Sequence, residues 1–162
     1  MRRAEELRYL ILAAQREGNR LLAQALRPLG LTPSQAEVVR VLLERQPLSL
    51  NGIGELLICE SGTNPSRLIE RLVTAGIVQR QPSAHDRRHI ELTLTPTGAD
   101  LAGKVGEIEA ELYRSIDRAA ELFSTDDITG FLWAFLGDTA GAQALSLRAQ
   151  ISRPDGTGNH GA

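Results

Sequence analysis

Residues 62–98 read GTNPSRLIERLVTAGIVQRQPSAHDRRHIELTLTPTG, and the succession of patterns inside them decides the fold. From Gly62 to Ala75 the apolar residues Leu68, Ile69, Leu72 and Ala75 share one helical face, while Thr63, Asn64, Arg67 and Arg71 fall on another. Pro65 has no N–H to donate and is tolerated only in a first turn, so this helix begins between Ser61 and Asn64. Gly76 supplies the residue that turns the chain out. Ile77 to Pro82 and His89 to Leu94 then read as strands; in the second, Ile90, Leu92 and Leu94 alternate with His89, Glu91 and Thr93. The loop between them, Ser83-Ala84-His85-Asp86-Arg87-Arg88, is basic and too short to hold anything but a hairpin tip.

Upstream, Cys59-Glu60-Ser61-Gly62 has the length of the turn in a helix-turn-helix. Ser49 caps a short helix through Asn51 to Leu57 or Ile58, weakened by Gly52 and Gly54 at roughly 1 kcal/mol each relative to Ala. Before it, Thr32-Pro33-Ser34-Gln35 opens a helix to about Arg45, with Thr32 and Gln35 placed as a capping box and Pro33 at the first helical position. Glu5 to Arg27 carries Leu7, Leu10, Ile11, Ala14, Leu21, Leu22, Ala25 and Leu26 at three- and four-residue spacing, a long amphipathic helix ended by Pro28 and Gly30. Downstream, Thr95-Pro96-Thr97-Gly98 starts a long helix with a seam of Leu101, Val105, Ile108, Leu112, Ile116, Ala119 and Phe123. Ser124 caps what reads as the last helix, with Asp126 and Asp127 at its positive end. Helix, turn, helix and an arginine-tipped hairpin make a winged helix-turn-helix inside a mainly α chain.

Net charge is −2 over 162 residues, unpromising for a nucleic-acid binder until it is divided along the chain. Between Gly62 and Ile90 five arginines, Arg67, Arg71, Arg80, Arg87 and Arg88, face Glu70 and Asp86, a surplus of three that leaves −5 for the remainder. A basic lobe on an acidic body suits a protein that turns one part toward phosphate. Aromatic content of 4% argues against single-strand recognition by base stacking and is compatible with duplex binding. Glycine-rich phosphate loops, nucleophile motifs and clustered His and carboxylate sets are missing, so an enzyme is not expected, nor a cofactor. His85, His89 and His160 are poorly placed as metal ligands, and no metal site is expected. A single cysteine, no signal-peptide run and no membrane span lead to a cytoplasmic expectation.

With that order established, the chain resembles the MarR family of bacterial transcriptional regulators from Glu5 to about Leu147. Asp86-Arg87-Arg88 followed by Leu92-Thr93-Leu94-Thr95-Pro96-Thr97-Gly98 is similar to the family's Asp-x-Arg wing and its Leu-Thr-x-x-Gly entry into the next helix. Arg67-Leu68-Ile69-Glu70-Arg71-Leu72 with Gly76-Ile77-Val78 behind it resembles the family's recognition-helix ending. The resemblance implies a homodimer on a roughly palindromic operator in double-stranded DNA, its recognition helices in major grooves ~34–36 Å apart. It divides the chain into an N-terminal dimerisation helix (1–30), a winged lobe (31–98), C-terminal dimerisation helices (99–150) and a disordered tail (151–162).

Groove contacts are then expected from Ser61, Thr63, Asn64, Ser66, Arg67 and Arg71 on the helix, against the blander readings that Ser61 or Thr63 caps it and Arg71 pairs with Glu70. At the wing, formed by His85, Asp86, Arg87 and Arg88, the resemblance puts Arg88 in the minor groove, Asp86 orienting it by a charge-assisted hydrogen bond and Arg87 on the backbone. Leu7, Leu10, Ile11, Leu112, Ile116, Phe131, Leu132, Phe135 and Leu136 are the expected dimer interface. The family reading is a repressor released by a small ligand, often phenolic or another anionic aromatic, with Arg16, Arg20 and Trp133 as candidate lining. Thiol-sensing relatives carry their cysteine near the first helix, so Cys59 reads better as a small buried hydrophobe than as a redox switch. Rival readings are a helical dimer whose winged lobe binds protein, and DNA binding without an effector.

Overall fold

The computed structural model describes residues 2–58 and 64–152. Seven helices and one hairpin follow in order: α1 (Arg3–Leu26), α2 (Pro33–Arg45), α3 (Leu50–Leu56), α4 (Pro65–Thr74), β1 (Val78–Pro82), β2 (Ile90–Leu94), α5 (Pro96–Ala120), α6 (Thr125–Leu136) and α7 (Ala140–Ser152). The boundaries fall where local chemistry puts them. Thr32 accepts from the Gln35 N–H while the Gln35 side chain accepts from the Thr32 N–H, the capping box expected of α2. Ser49, Thr95 and Ser124 likewise cap α3, α5 and α6 through their hydroxyls.

The core lies in the lobe and in the helix ends that grip it. Val38, Val39 and Leu42 of α2, Ile53 of α3, Leu68, Ile69 and Leu72 of α4, and Val78, Leu92 and Leu94 of the hairpin close around Leu26 of α1 and Ala102 and Val105 of α5. The hairpin is antiparallel, Val78 opposite Leu94 through Pro82 opposite Ile90, and Leu48 exchanges backbone hydrogen bonds with Leu92 on its other edge. Gly76, at φ 70°, lets the Ile77 N–H reach back to the Leu72 carbonyl and its own N–H to Val73, closing α4 in a Schellman motif directly before β1.

Gly98 has a stricter reason to be glycine. A Cβ there would stand 2.0 Å from the Ile77 carbonyl oxygen, which already accepts from the Thr95 N–H. The first turn of α5 is thus pressed against the chain entering the wing.

Away from the lobe and the helix segments packed on it, burial thins out. Leu26 is the only buried residue of α1, and α6 has none. Leu7, Leu10, Ile116, Phe131, Leu132 and Phe135 are all exposed, the last at 64%. Among the described residues no helix is long and apolar enough to cross a membrane.

One element departs from the sequence reading. The helix capped by Ser124 is not the last: Gly137, at φ 55°, turns the chain, and α7 follows, burying Ala142 and Ala144 and packing on α3 and α6. Its small residues gave little amphipathic signal, and the helix runs to Ser152, two residues into the expected tail. Residues 153–162 of that expected tail lie outside the described residues.

Candidate nucleic-acid interface

α4 starts at the late end of the range its sequence pattern allows. Asn64 is the N-cap, its Oδ1 accepting from the Ser66 N–H at 2.9 Å, and Pro65 takes the first helical position. Ser61, Thr63 and Cys59 lie outside the described residues. With Leu68, Ile69 and Leu72 buried, the opposite face presents Asn64, Ser66, Arg67 and Arg71 to solvent. Asn64 therefore holds the helix end with its oxygen and keeps only the amide NH2 for a base.

Arg71 does not pair with Glu70. Glu70 is taken by Arg80 of β1 at 2.6 Å, a contact that ties recognition helix to wing and removes one cation from the lobe's free charge. Arg67, Arg71 and Arg87 have no ion-pair partner among the described residues and stand open to a polyanion. The pairing went unread because ten residues and a change of element separate its partners, whereas helical spacing offered the nearer Glu70–Arg71.

At the wing tip the chain folds on Asp86. Its Oδ1 accepts from the Arg88 N–H at 3.0 Å, its backbone carbonyl accepts from the His89 N–H at 2.9 Å, and the Ser83 N–H closes onto the His89 carbonyl at 2.8 Å. The Arg88 guanidinium lies 3.7 Å from Asp86 and is 91% exposed. Asp86 thus positions Arg88 through its backbone, with the side chain held only loosely by charge; this differs from the expected side-chain hydrogen bond, because a turn this tight places the N–H nearer the carboxylate than the guanidinium. His89 Nδ1 stands 3.7 Å from the other Asp86 oxygen, and His85 is exposed with its N–H on Ser83 Oγ. Ser83 is the buried polar residue under the tip, a role that a Pro-Ser step in a loop did not reveal.

The candidate ligand residues are not gathered into one cavity. Arg20 is engaged by Glu17 at 2.6 and 2.8 Å, which raises the Arg20 pKa, and it lines with Arg16 a shallow groove on α1 to which Trp133 of α6 does not contribute. Periodicity had put no wall opposite them. The more enclosed space lies between α1 and α5, a groove of about 510 Å³ walled by Leu21, Leu22, Ala25, Ile108 and Leu112, with Glu107, Glu111 and Ser115 at its edge.

A basic helix face beside an arginine-tipped wing, on a fold of this order, defines a winged helix DNA-binding protein. Residues 31–98 match the family model described as a winged helix DNA-binding domain. The chain is 30% identical over 108 residues to the organic hydroperoxide resistance transcriptional regulator of Bacillus subtilis, an alignment spanning 67% of this chain and 73% of that one. Among solved structures it is similar to a DNA complex of MepR from S. aureus (TM-score 0.65, 21% identity, 78% of this chain and 91% of that one). It is equally similar to a mutant MarR from E. coli complexed with operator DNA (TM-score 0.64, 22% identity, 80% and 91%). The chain belongs to the MarR family of winged helix-turn-helix transcriptional regulators, which are DNA-binding proteins and not enzymes.

Proposed function

We propose that this regulator works in the cytoplasm as a homodimer on a roughly palindromic operator, represses by occluding a promoter, and leaves when a small ligand binds. The observation that carries the reading is the pairing, in one chain, of a finished lobe bearing unpaired arginines with a helical arm whose large apolar residues lack cover. α1 and α6 leave an apolar groove of about 630 Å³ lined by Leu7, Leu10, Ile11, Ala14, Ile128, Phe131 and Leu132, which the partner's helices would fill.

Arg67 and Arg71 read the major groove, Arg88 enters the minor groove, and Arg87 neutralises phosphate. The ligand site is the α1–α5 groove. Its apolar walls take a small hydrophobic body, and with Glu111 paired to Arg114 the remaining Glu107 carboxylate at its edge favours an uncharged ligand over the anionic aromatic suggested by the family. Release needs the ligand to prefer the lobe spacing that misfits DNA by about 1–3 kcal/mol. Peroxide sensing is not proposed: the single thiol, Cys59, is far in sequence from α1 and lies outside the described residues.

Footprinting on the protein's own promoter, with light scattering for mass and a salt series, tests the reading. A protected palindrome, a mass of two chains and an affinity that falls with a log–log slope of about −0.9 per phosphate contacted are expected. A monomer, or salt-insensitive binding, sinks it.

A further inference from the structure

Glu37, on α2, is 10% exposed and sits where three helices meet. Its Oε1 accepts from the Ile58 N–H at 2.8 Å, just beyond the end of α3 on the path to the recognition helix, and from Arg148 Nη1 of α7 at 2.9 Å. Eight residues along α2, Arg45 donates to the carbonyls of Leu147 and Arg148 at 3.1 and 2.6 Å. The end of α7 is therefore clasped to α2 from both sides, while its beginning follows directly from α6, which contributes nothing to the buried core of its own chain.

We propose that α7 is a strap that transmits the placement of the helical arm to the entry of the recognition helix, with Glu37 as the positioning residue; this rests on the DNA-binding reading above. α5 joins arm to lobe through its packing on α2 and through Gly98 against Ile77, beyond the C-terminal end of α4, and the strap adds a hold at the turn before α4, so the recognition helix is braced on both sides. A carboxylate sharing one oxygen between a backbone N–H and a guanidinium holds both more firmly than a neutral acceptor would, because both hydrogen bonds are charge-assisted. Loosening the Arg148 end removes one hold on the Glu37 carboxylate, and so weakens its hold on the Ile58 amide that precedes α4.

The test uses the full chain with Glu37→Gln, Arg148→Gln and the double variant, whose net charge equals that of the wild type. Gln at 37 keeps an acceptor for Ile58. Each is titrated by fluorescence anisotropy with a duplex selected in vitro against the wild type and with a scrambled duplex of the same composition. A misplaced recognition helix lowers affinity for the selected duplex five- to tenfold in both single variants and no further in the double. Binding to the scrambled duplex, set by phosphate contacts, stays within twofold. A parallel loss on both duplexes, additive losses in the double, or no loss would overturn the proposal.

A second readout needs no operator: amide exchange at Ile58 quickens at least threefold in Arg148→Gln, and unchanged exchange overturns the strap. Failure of the selection to enrich any duplex would count against the DNA-binding reading, and the exchange measurement would still decide the strap.

Discussion

The lobe and the arm both carry large apolar side chains at regular spacing, yet the lobe closes over most of its own and the arm leaves most of its own open. Val38, Leu42, Ile53, Ile69 and Leu72 are essentially inaccessible, whereas Leu10 and Ile116 stand more than half exposed and Phe131 and Phe135 stack on each other in the open, their rings 6.2 Å apart. The difference is one of geometry. Three short helices and a hairpin meet from several directions and enclose a volume, while a few long helices lying roughly side by side leave a face open on the outside of each. Exposed apolar surface of this extent is what the proposed homodimer would cover, which makes the lobe a unit of folding and, on that proposal, the arm half of one.

That contrast breaks most visibly at the arm. Phe135→Glu in α6 should yield monomers by light scattering, and operator affinity should fall about a thousandfold as the second lobe's contribution is lost. A dimer that survives would show the exposed face to be something else. Within the lobe, Gly98→Ala forces a Cβ against the Ile77 carbonyl and should cost about 3 kcal/mol in urea unfolding, with the hairpin loosened. An unchanged midpoint would mean that the α5 entry has slack.

Arg88→Ala touches neither region's packing and should weaken operator binding at least tenfold with the dimer intact; equal affinity by anisotropy would remove the wing from the interface. The smallest effect sits at the joint. Burial raises the Glu109 pKa, with Arg40 at 3.1 Å only partly opposing it. A carboxyl raised in the folded state contributes stability that is present below its unfolded value and lost as pH rises through the folded one. Relative to Glu109→Gln, the wild type should therefore lose ground on going from about pH 4.5 to neutrality, of order 1 °C in Tm. A pH-independent gap between the two melting curves would contradict the buried placement.

Much of the lobe was legible because its signals are local. A capping box, a proline confined to a first turn and a glycine after a helix each act within a few positions and are found as read at Thr32, Pro65 and Gly76; the alternation of β2 holds at Leu92 and Leu94, while Ile90 near the wing tip is exposed. The candidate contacts were legible as charges but not as states. Helical spacing put Arg67 and Arg71 on one face; it said nothing of Arg80 bridging to Glu70, of Asn64 spending its oxygen on the helix end, or of Asp86 acting through the Arg88 N–H. Arg16, Arg20 and Trp133 failed to gather because a pocket needs facing walls, and a one-dimensional pattern supplies one wall at a time.

What the sequence determined by itself is the elements from α1 to α6, their order and the sign of charge on the lobe, since these follow from propensities, caps and composition that need no distant partner. Only the tertiary structure decided that Gly98 must lack a side chain, that a small-residue helix returns from the arm to the lobe, and that Glu37 stands between Arg148 and Ile58. Those facts depend on residues 21 to 111 positions apart in the chain being brought within hydrogen-bonding distance or contact, and such closeness is a property of the packed core rather than of any stretch of sequence.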